Sequence, residues 1–214
     1  MKKINLIIFD LDGTIIDSSQ DIVNGINHML DALGFQGKRH DEIIPYVGYG
    51  VEYLVESCLP KGRMELLRDG IEVFVSHNIS HLFDNTKLFP GIAEILPYFD
   101  SKRKVILTNR QKDITEKLLE GFGISKYFDA VLGGDDEKCR KPSTCPIDNL
   151  LADFKETKDV AIMVGDTEVD IKTGKDAGIS TCAVSYGMGK MDELERAGAD
   201  YIIDHISRLK DIVY

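Results

Sequence analysis

The chain has 214 residues, 43% hydrophobic and 29% charged, enough apolar content to fill a domain core without disulfide staples. Its net charge of −10 argues against nonspecific binding to nucleic acid or to anionic membranes. The four cysteines, Cys58, Cys139, Cys145 and Cys182, show neither CxxC nor zinc-site spacing and are expected as reduced thiols.

The apolar run at residues 4–9 is stopped by Asp10, too early for a signal peptide. No stretch approaches a membrane-spanning length, and a cytoplasmic location is expected. Residues 4–9 read instead as a buried strand. From Asp17 to about Phe83 only helical periodicity is found. Ile22, Ile26, Met29, Leu30 and Leu33 form one apolar stripe that ends at Gly34. Val51, Leu54, Val55 and Cys58 form a second, and residues 64–82 read as a longer helix or a broken pair.

Beyond this stretch strands and helices alternate. Strands are expected at 105–108, 130–132, 160–164, 180–184 and, more weakly, 201–203. Helices are expected at 92–99, 113–122, 145–154 and 168–177, the second opened by Asp113 and Glu116 in capping-box spacing. Nearly continuous apolar strands suit a parallel sheet covered on both faces. The predicted fold is therefore α/β, a Rossmann-like doubly wound, mostly parallel sheet with an inserted all-helical cap. Residues 1–16 and 84–214 would form the core, and 17–83 the cap.

Chemistry concentrates where predicted strands end, the place where open α/β sheets collect their ligands. Asp10-Leu11-Asp12-Gly13-Thr14 follows the first strand. Two carboxylates two residues apart can divide labour, one ionised as nucleophile, the other with a raised pKa as proton donor. A turn whose Asp residues cap backbone amides is the plainer alternative. Thr108-Asn109 ends the second strand and offers a hydroxyl and an amide to a phosphoryl oxygen, although a helix N-cap accounts for Thr108 equally well. Lys141, before Pro142, is a candidate fixed cation. Asp166 and Asp170, four apart at a helix start, share a face. So many carboxylates at adjacent strand ends need a cation among them, and magnesium with a phosphate completing its shell would serve.

These pieces, in this order, resemble the four motifs of the haloacid-dehalogenase superfamily, and the resemblance runs over essentially the whole chain. It implies Asp10 as nucleophile, Asp12 as general acid/base, and Thr108, Asn109 and Lys141 as phosphoryl binders. It also implies Mg2+ held by Asp10, the Asp12 carbonyl and Asp166, with Asp170 a ligand or a neighbour of the ligands. The cap, with Val47-Gly48-Tyr49-Gly50-Val51, and Phe89-Pro90-Gly91 are similar to the phosphoglycolate phosphatases. The expected activity is hydrolysis of a small phosphorylated metabolite through an aspartyl-phosphate. Mutase and pyrophosphatase relatives are the alternatives, the first disfavoured because such mutases carry an Arg after the cap glycine where Tyr49-Gly50 stands. Arg110 departs from the Lys usual in the subgroup, and Ser143-Thr144-Cys145 from its usual Pro-containing run. Polar cap positions are Lys61, Arg63, His77 and His81. Monomer and homodimer both remain open.

Overall fold

The structure, a computed structural model, describes residues 1–214. Six strands form one wholly parallel sheet: β1 (Leu6–Phe9), β4 (Arg103–Leu107), β5 (Ala130–Leu132), β6 (Ala161–Gly165), β7 (Ser180–Val184) and β8 (Tyr201–Ile203). Their spatial order is β5-β4-β1-β6-β7-β8. Successive strand residues point to opposite faces. Ile7, Phe9, Ile106, Ile162 and Val164 accordingly enter one buried cluster, and Leu6, Ile8, Val105, Leu107 and Met163 another on the reverse face. Both faces are apolar, as a parallel sheet sandwiched by helices requires.

Register places the functional residues. Phe9 lies level with Ile106 of β4 and Val164 of β6. The chain therefore leaves β1 at Asp10, β4 at Thr108 and β6 at Asp166 almost side by side. The crossovers are helical: α5 (Ile92–Tyr98), α6 (Lys112–Gly121), α7 (Cys145–Phe154), α8 (Glu168–Ala177) and α9 (Met191–Ala197). No helix is long and apolar enough to cross a membrane.

Between β1 and the rest of the sheet lie α1 (Ser19–Ala32), α2 (His40–Ile43), α3 (Val51–Cys58) and α4 (Leu67–Ser80). The predicted stripes meet in a cluster of their own, in which Ile22, Ile26, Met29 and Leu30 pack on Leu54, Val55, Cys58 and Phe74. The 64–82 pattern resolves into a 3-10 turn, Met64–Leu66, followed by α4.

Three features differ from expectation. A two-stranded antiparallel ribbon, β2 (Ile16–Asp17) with β3 (Lys87–Leu88), closes the neck of the helical segment. Two residues per strand leave no periodicity to read. The capping box expected at Asp113 and Glu116 does not form. Asp113 instead accepts from the Ile114 N–H, and Glu116 lies 3.7 Å from Lys112. Finally, Cys139 and Cys145 are joined as a disulfide, because the turn before α7 brings their Cα atoms to 5.2 Å. Cys58 and Cys182 are free and buried, as expected of thiols.

The neck is bolted by Asp21, from the first turn of α1. Its carboxylate accepts from the backbone and side chain of both Asn85 and Thr86, at 2.6–3.0 Å. Burial pushes its pKa up, but the four hydrogen bonds outweigh this and hold it below the usual 3.8. A carboxylate with a depressed folded pKa stabilises at higher pH, and that contribution fades as pH falls through the folded value. Asp21→Ala should cost about 2–4 kcal/mol near neutrality, as expected for losing several hydrogen bonds to a charged group. Urea unfolding at pH 7 and pH 3 checks both claims, the gap between variant and parent shrinking at the lower pH.

Candidate active site

The loop from Asp10 to Thr14 turns back sharply, and Gly13 adopts a φ of +84° there. A Cβ at Gly13 would run into the Asp166 carboxylate, so this position needs glycine both for its backbone and for the approach of β6. Asp10, Lys141, Asp166 and Asp170 gather beneath it, each no more than 4% exposed.

Lys141 stands at the centre. Its Nζ lies 2.7 Å from Asp10 Oδ1 and 2.6 Å from Asp170 Oδ1. Its backbone is gripped by Asn109, whose Oδ1 accepts from the Lys141 N–H at 2.9 Å while Nδ2 donates to the Lys141 carbonyl at 2.8 Å. Asn109 Nδ2 also donates to the Gly48 carbonyl at 2.8 Å. Both amide hydrogens are thus committed, and the substrate-binding expectation for this side chain finds no free donor. Burial lowers the Lys141 pKa, but the Asp10 and Asp170 charges more than compensate, and the net shift is upward. Lys141 is a permanent cation.

Asp170 serves α8 as well as Lys141. Its Oδ2 accepts from the Thr167 N–H and hydroxyl at 3.0 and 2.8 Å, closing a capping box at the helix start. Asp166 accepts from the Thr14 hydroxyl at 3.2 Å and from the Met188 N–H at 2.7 Å. Burial first, then the Asp170 charge, pushes its pKa up to about 7. Asp10 is raised by burial, then by Asp170, against the opposing pull of Lys141. Oxygens of Asp10, Asp166 and Asp170 lie within 4.8 Å of one another. Three buried carboxylates share one protein cation. The surplus negative charge and the all-oxygen donor set fit a hard divalent ion such as magnesium.

Asp12 behaves otherwise. Burial pushes its pKa up, yet the charge and hydrogen bonds of Arg110, then Ser18, outweigh this and hold it low. Arg110 grips it as a fork, Nε to Oδ2 at 2.9 Å and Nη2 to Oδ1 at 2.8 Å, while Nη1 donates to Asn78 Oδ1 of α4 at 2.9 Å. The raised pKa expected from the sequence is therefore overturned in this conformation. Its cause is a buried arginine 98 residues away, whose pairing no local pattern announces. Arg110 was visible as a departure in its motif; Asn78 carried no signal.

Asp10, Asp12, Thr108, Asn109 and Arg110 line a cavity of about 250 Å³ roofed by Val47, Gly48, Leu54 and Phe74 from the helical segment. Thr108 Oγ1 accepts from the Arg110 N–H at 3.1 Å, leaving its own hydrogen unspent on protein. Arg140, also on the wall, donates to Glu52 of α3 at 2.9 Å. Lys61, Arg63, His77 and His81 are absent from the lining. Arg63 pairs with Glu65, and His77 is stacked between His28 and His81.

A parallel α/β sheet whose central strand ends present a lysine-bound carboxylate to a roofed cavity is the framework of an enzyme acting on an anionic group. The family pattern described as "Haloacid dehalogenase-like hydrolase" matches residues 7–184. A phosphoglycolate phosphatase of Aquifex aeolicus is 34% identical over 189 residues, 87% of each chain. One from Vibrio parahaemolyticus is 29% identical over 99% of this chain and 97% of its own. Among solved structures, a predicted phosphoglycolate phosphatase of Haemophilus somnus superposes with a TM-score of 0.92 at 23% identity, covering 99% of both chains, which speaks to the fold. The chain belongs to the haloacid dehalogenase-like hydrolase family, in its phosphoglycolate phosphatase-like branch. It is a phosphatase-type hydrolase.

Proposed function

We propose that the protein is a magnesium-dependent phosphatase of small phosphate monoesters, phosphoglycolate-like in size, that works through an aspartyl-phosphate on Asp10. The observation that carries this reading is the Asp10–Lys141 contact at 2.7 Å, with Asp10 lining the roofed cavity and Lys141 buried against it. One oxygen of Asp10 is fixed by the lysine, and no protein donor binds the other. That oxygen attacks phosphorus, and the bond to the leaving alkoxide breaks as the alkoxide takes a proton from Asp12. In the second half Asp12, as carboxylate, takes a proton from the water that attacks phosphorus. The bond to Asp10 then breaks and inorganic phosphate leaves. Lys141 and the Thr108 hydroxyl hold phosphoryl oxygens throughout. Asn109 holds Lys141.

The low pKa of Asp12 beside Arg110 suits the base half. When Asp12 carries a proton the fork has to open, and the third contact of Arg110, to Asn78, ties that opening to the helical segment. Asp10, Asp166 and the Asp12 carbonyl would hold magnesium, backed by Asp170. Bound there, the ion supplies positive charge against the transferring group. The demand is large, since hydrolysis of such esters calls for accelerations reaching about 10²¹, and an acid–base pair alone gives about 10²–10⁴.

We take residues 17–83 as a cap that excludes water and reads the leaving group, and 1–16 with 84–214 as the catalytic core. Their separate buried clusters support this division. The site is built within one chain, which serves a monomer or a homodimer alike, and we place the protein in the cytoplasm. The test is a panel of 2-phosphoglycolate, sugar phosphates, nucleotides and pyrophosphate, assayed with and without magnesium. The reading predicts the highest kcat/KM on a small monoester and loss of activity in EDTA. A preference for pyrophosphate, or a requirement for a bisphosphorylated activator, would move the assignment to those relatives.

A further inference from the structure

Lys141 sits inside a short segment whose ends are the bonded pair Cys139 and Cys145. Both are partly exposed, whereas Cys58 and Cys182 are buried. Small thiols can therefore reach this bond. The residues it encloses are not held alike. Lys141 is clamped independently, through its backbone by Asn109 and through Nζ by Asp10 and Asp170. The Arg140 side chain has one contact, to Glu52 of α3 across the cavity wall, its carbonyl accepts from the Ser143 N–H at 2.9 Å, and it is bonded directly to Cys139 in the chain. On the N-terminal side of Arg140 the chain is tied to the start of α7 through the Cys139–Cys145 bond.

We propose that Cys139 and Cys145 form a thiol–disulfide modification site governing the mouth of the cavity. In the oxidised form Arg140 is pinned against Glu52. In the reduced form it is released, with Lys141 held in both. The co-reactant class is a small monothiol such as glutathione and its disulfide. A glutathione thiolate attacks one Sγ, the protein S–S bond breaks, and the other cysteine leaves as thiolate and takes a proton. A second glutathione thiolate then attacks the mixed disulfide. The protein ends with two thiols and two glutathiones end as one glutathione disulfide; oxidation is the reverse. The consequence for substrate binding rests on the phosphatase reading; the exchange itself does not.

The experiment uses the intact, magnesium-loaded protein equilibrated in glutathione buffers from fully reduced to fully oxidised. Three quantities are read from each sample: alkylation of Cys139 and Cys145 by peptide mass, the rate of tryptic cleavage after the exposed Lys138, and kcat and KM for p-nitrophenyl phosphate. We expect both cysteines to become alkylatable together, and cleavage after Lys138 to accelerate about tenfold or more on reduction. KM should shift about threefold or more, with kcat within about twofold. Cys145→Ser should cleave at the reduced rate in every buffer, and Cys58→Ser should respond as the parent does. Cysteines alkylated in every buffer, or exchange that moves neither cleavage nor KM, would overturn the proposal. Redox-dependent cleavage without hydrolysis in any buffer would support the site and defeat the phosphatase reading.

Discussion

Asp10→Asn is expected to reduce turnover by about 10⁴-fold or more, the scale on which removal of a nucleophile acts in a concerted site. The same substitution should leave the chain folded and make the metal-free protein more stable. Asn keeps an oxygen within reach of Lys141, which stays paired with Asp170. What disappears is one of three negative charges buried within 4.8 Å of one another, the repulsion that helps raise the Asp10 pKa. Turnover on a small phosphomonoester and thermal unfolding in EDTA are the two readouts. A residual rate within tenfold of the parent would remove Asp10 from the reaction. A marked loss of stability would contradict the picture of a site overcharged without its ion.

Lys141→Met works in the opposite sense. Its length fits the channel beside Asn109, but Asp10, Asp166 and Asp170 then lose their one protein cation. Breaking a buried pair by deleting one partner typically costs about 3–5 kcal/mol, because the surviving charge is left uncompensated. A lost electrostatic contact to the transferring group costs about 10²–10³ in kcat. Both activity and metal-free stability should therefore fall. At one fixed magnesium concentration the ion should recover more stability in this variant, where no lysine competes for the carboxylates, than in the parent; a site at a hundred times its Kd gains about 2.7 kcal/mol. Urea unfolding with and without magnesium reads this directly. A stability loss below about 1 kcal/mol would show that Lys141 is not the counter-ion of the cluster.

Much of this site is legible in the sequence, and the reason is particular. Asp10, Thr108 and Asp166 each end a run of apolar strand residues, and a parallel sheet brings such ends level. Helix α8 was marked by acidic residues at its start and Gly178 at its end, and α7 by Pro146 in its first turn. What escaped depends on partners far apart in the chain. The ribbon joining Ile16 to Leu88 is too short for a pattern, and the Asp12–Arg110 fork spans 98 residues. The Asp12 pKa followed from that fork, so the sequence-based expectation of a raised value had the wrong sign. The Cys139–Cys145 bond was missed because compartment statistics outweigh spacing when only the sequence is in hand. Asn109 was expected to bind substrate, but its amide braces Lys141 and Gly48.

The proposed mechanism requires a covalent bond between phosphorus and Asp10. Acid quench of the first turnover with labelled phosphomonoester, followed by borohydride reduction and peptide sequencing, tests it without reliance on mutants. Acid-stable label is expected on the peptide spanning residues 4–38, with conversion of Asp10, not Asp12, to homoserine. Full product release with no protein-bound label, or homoserine at position 12, would contradict it.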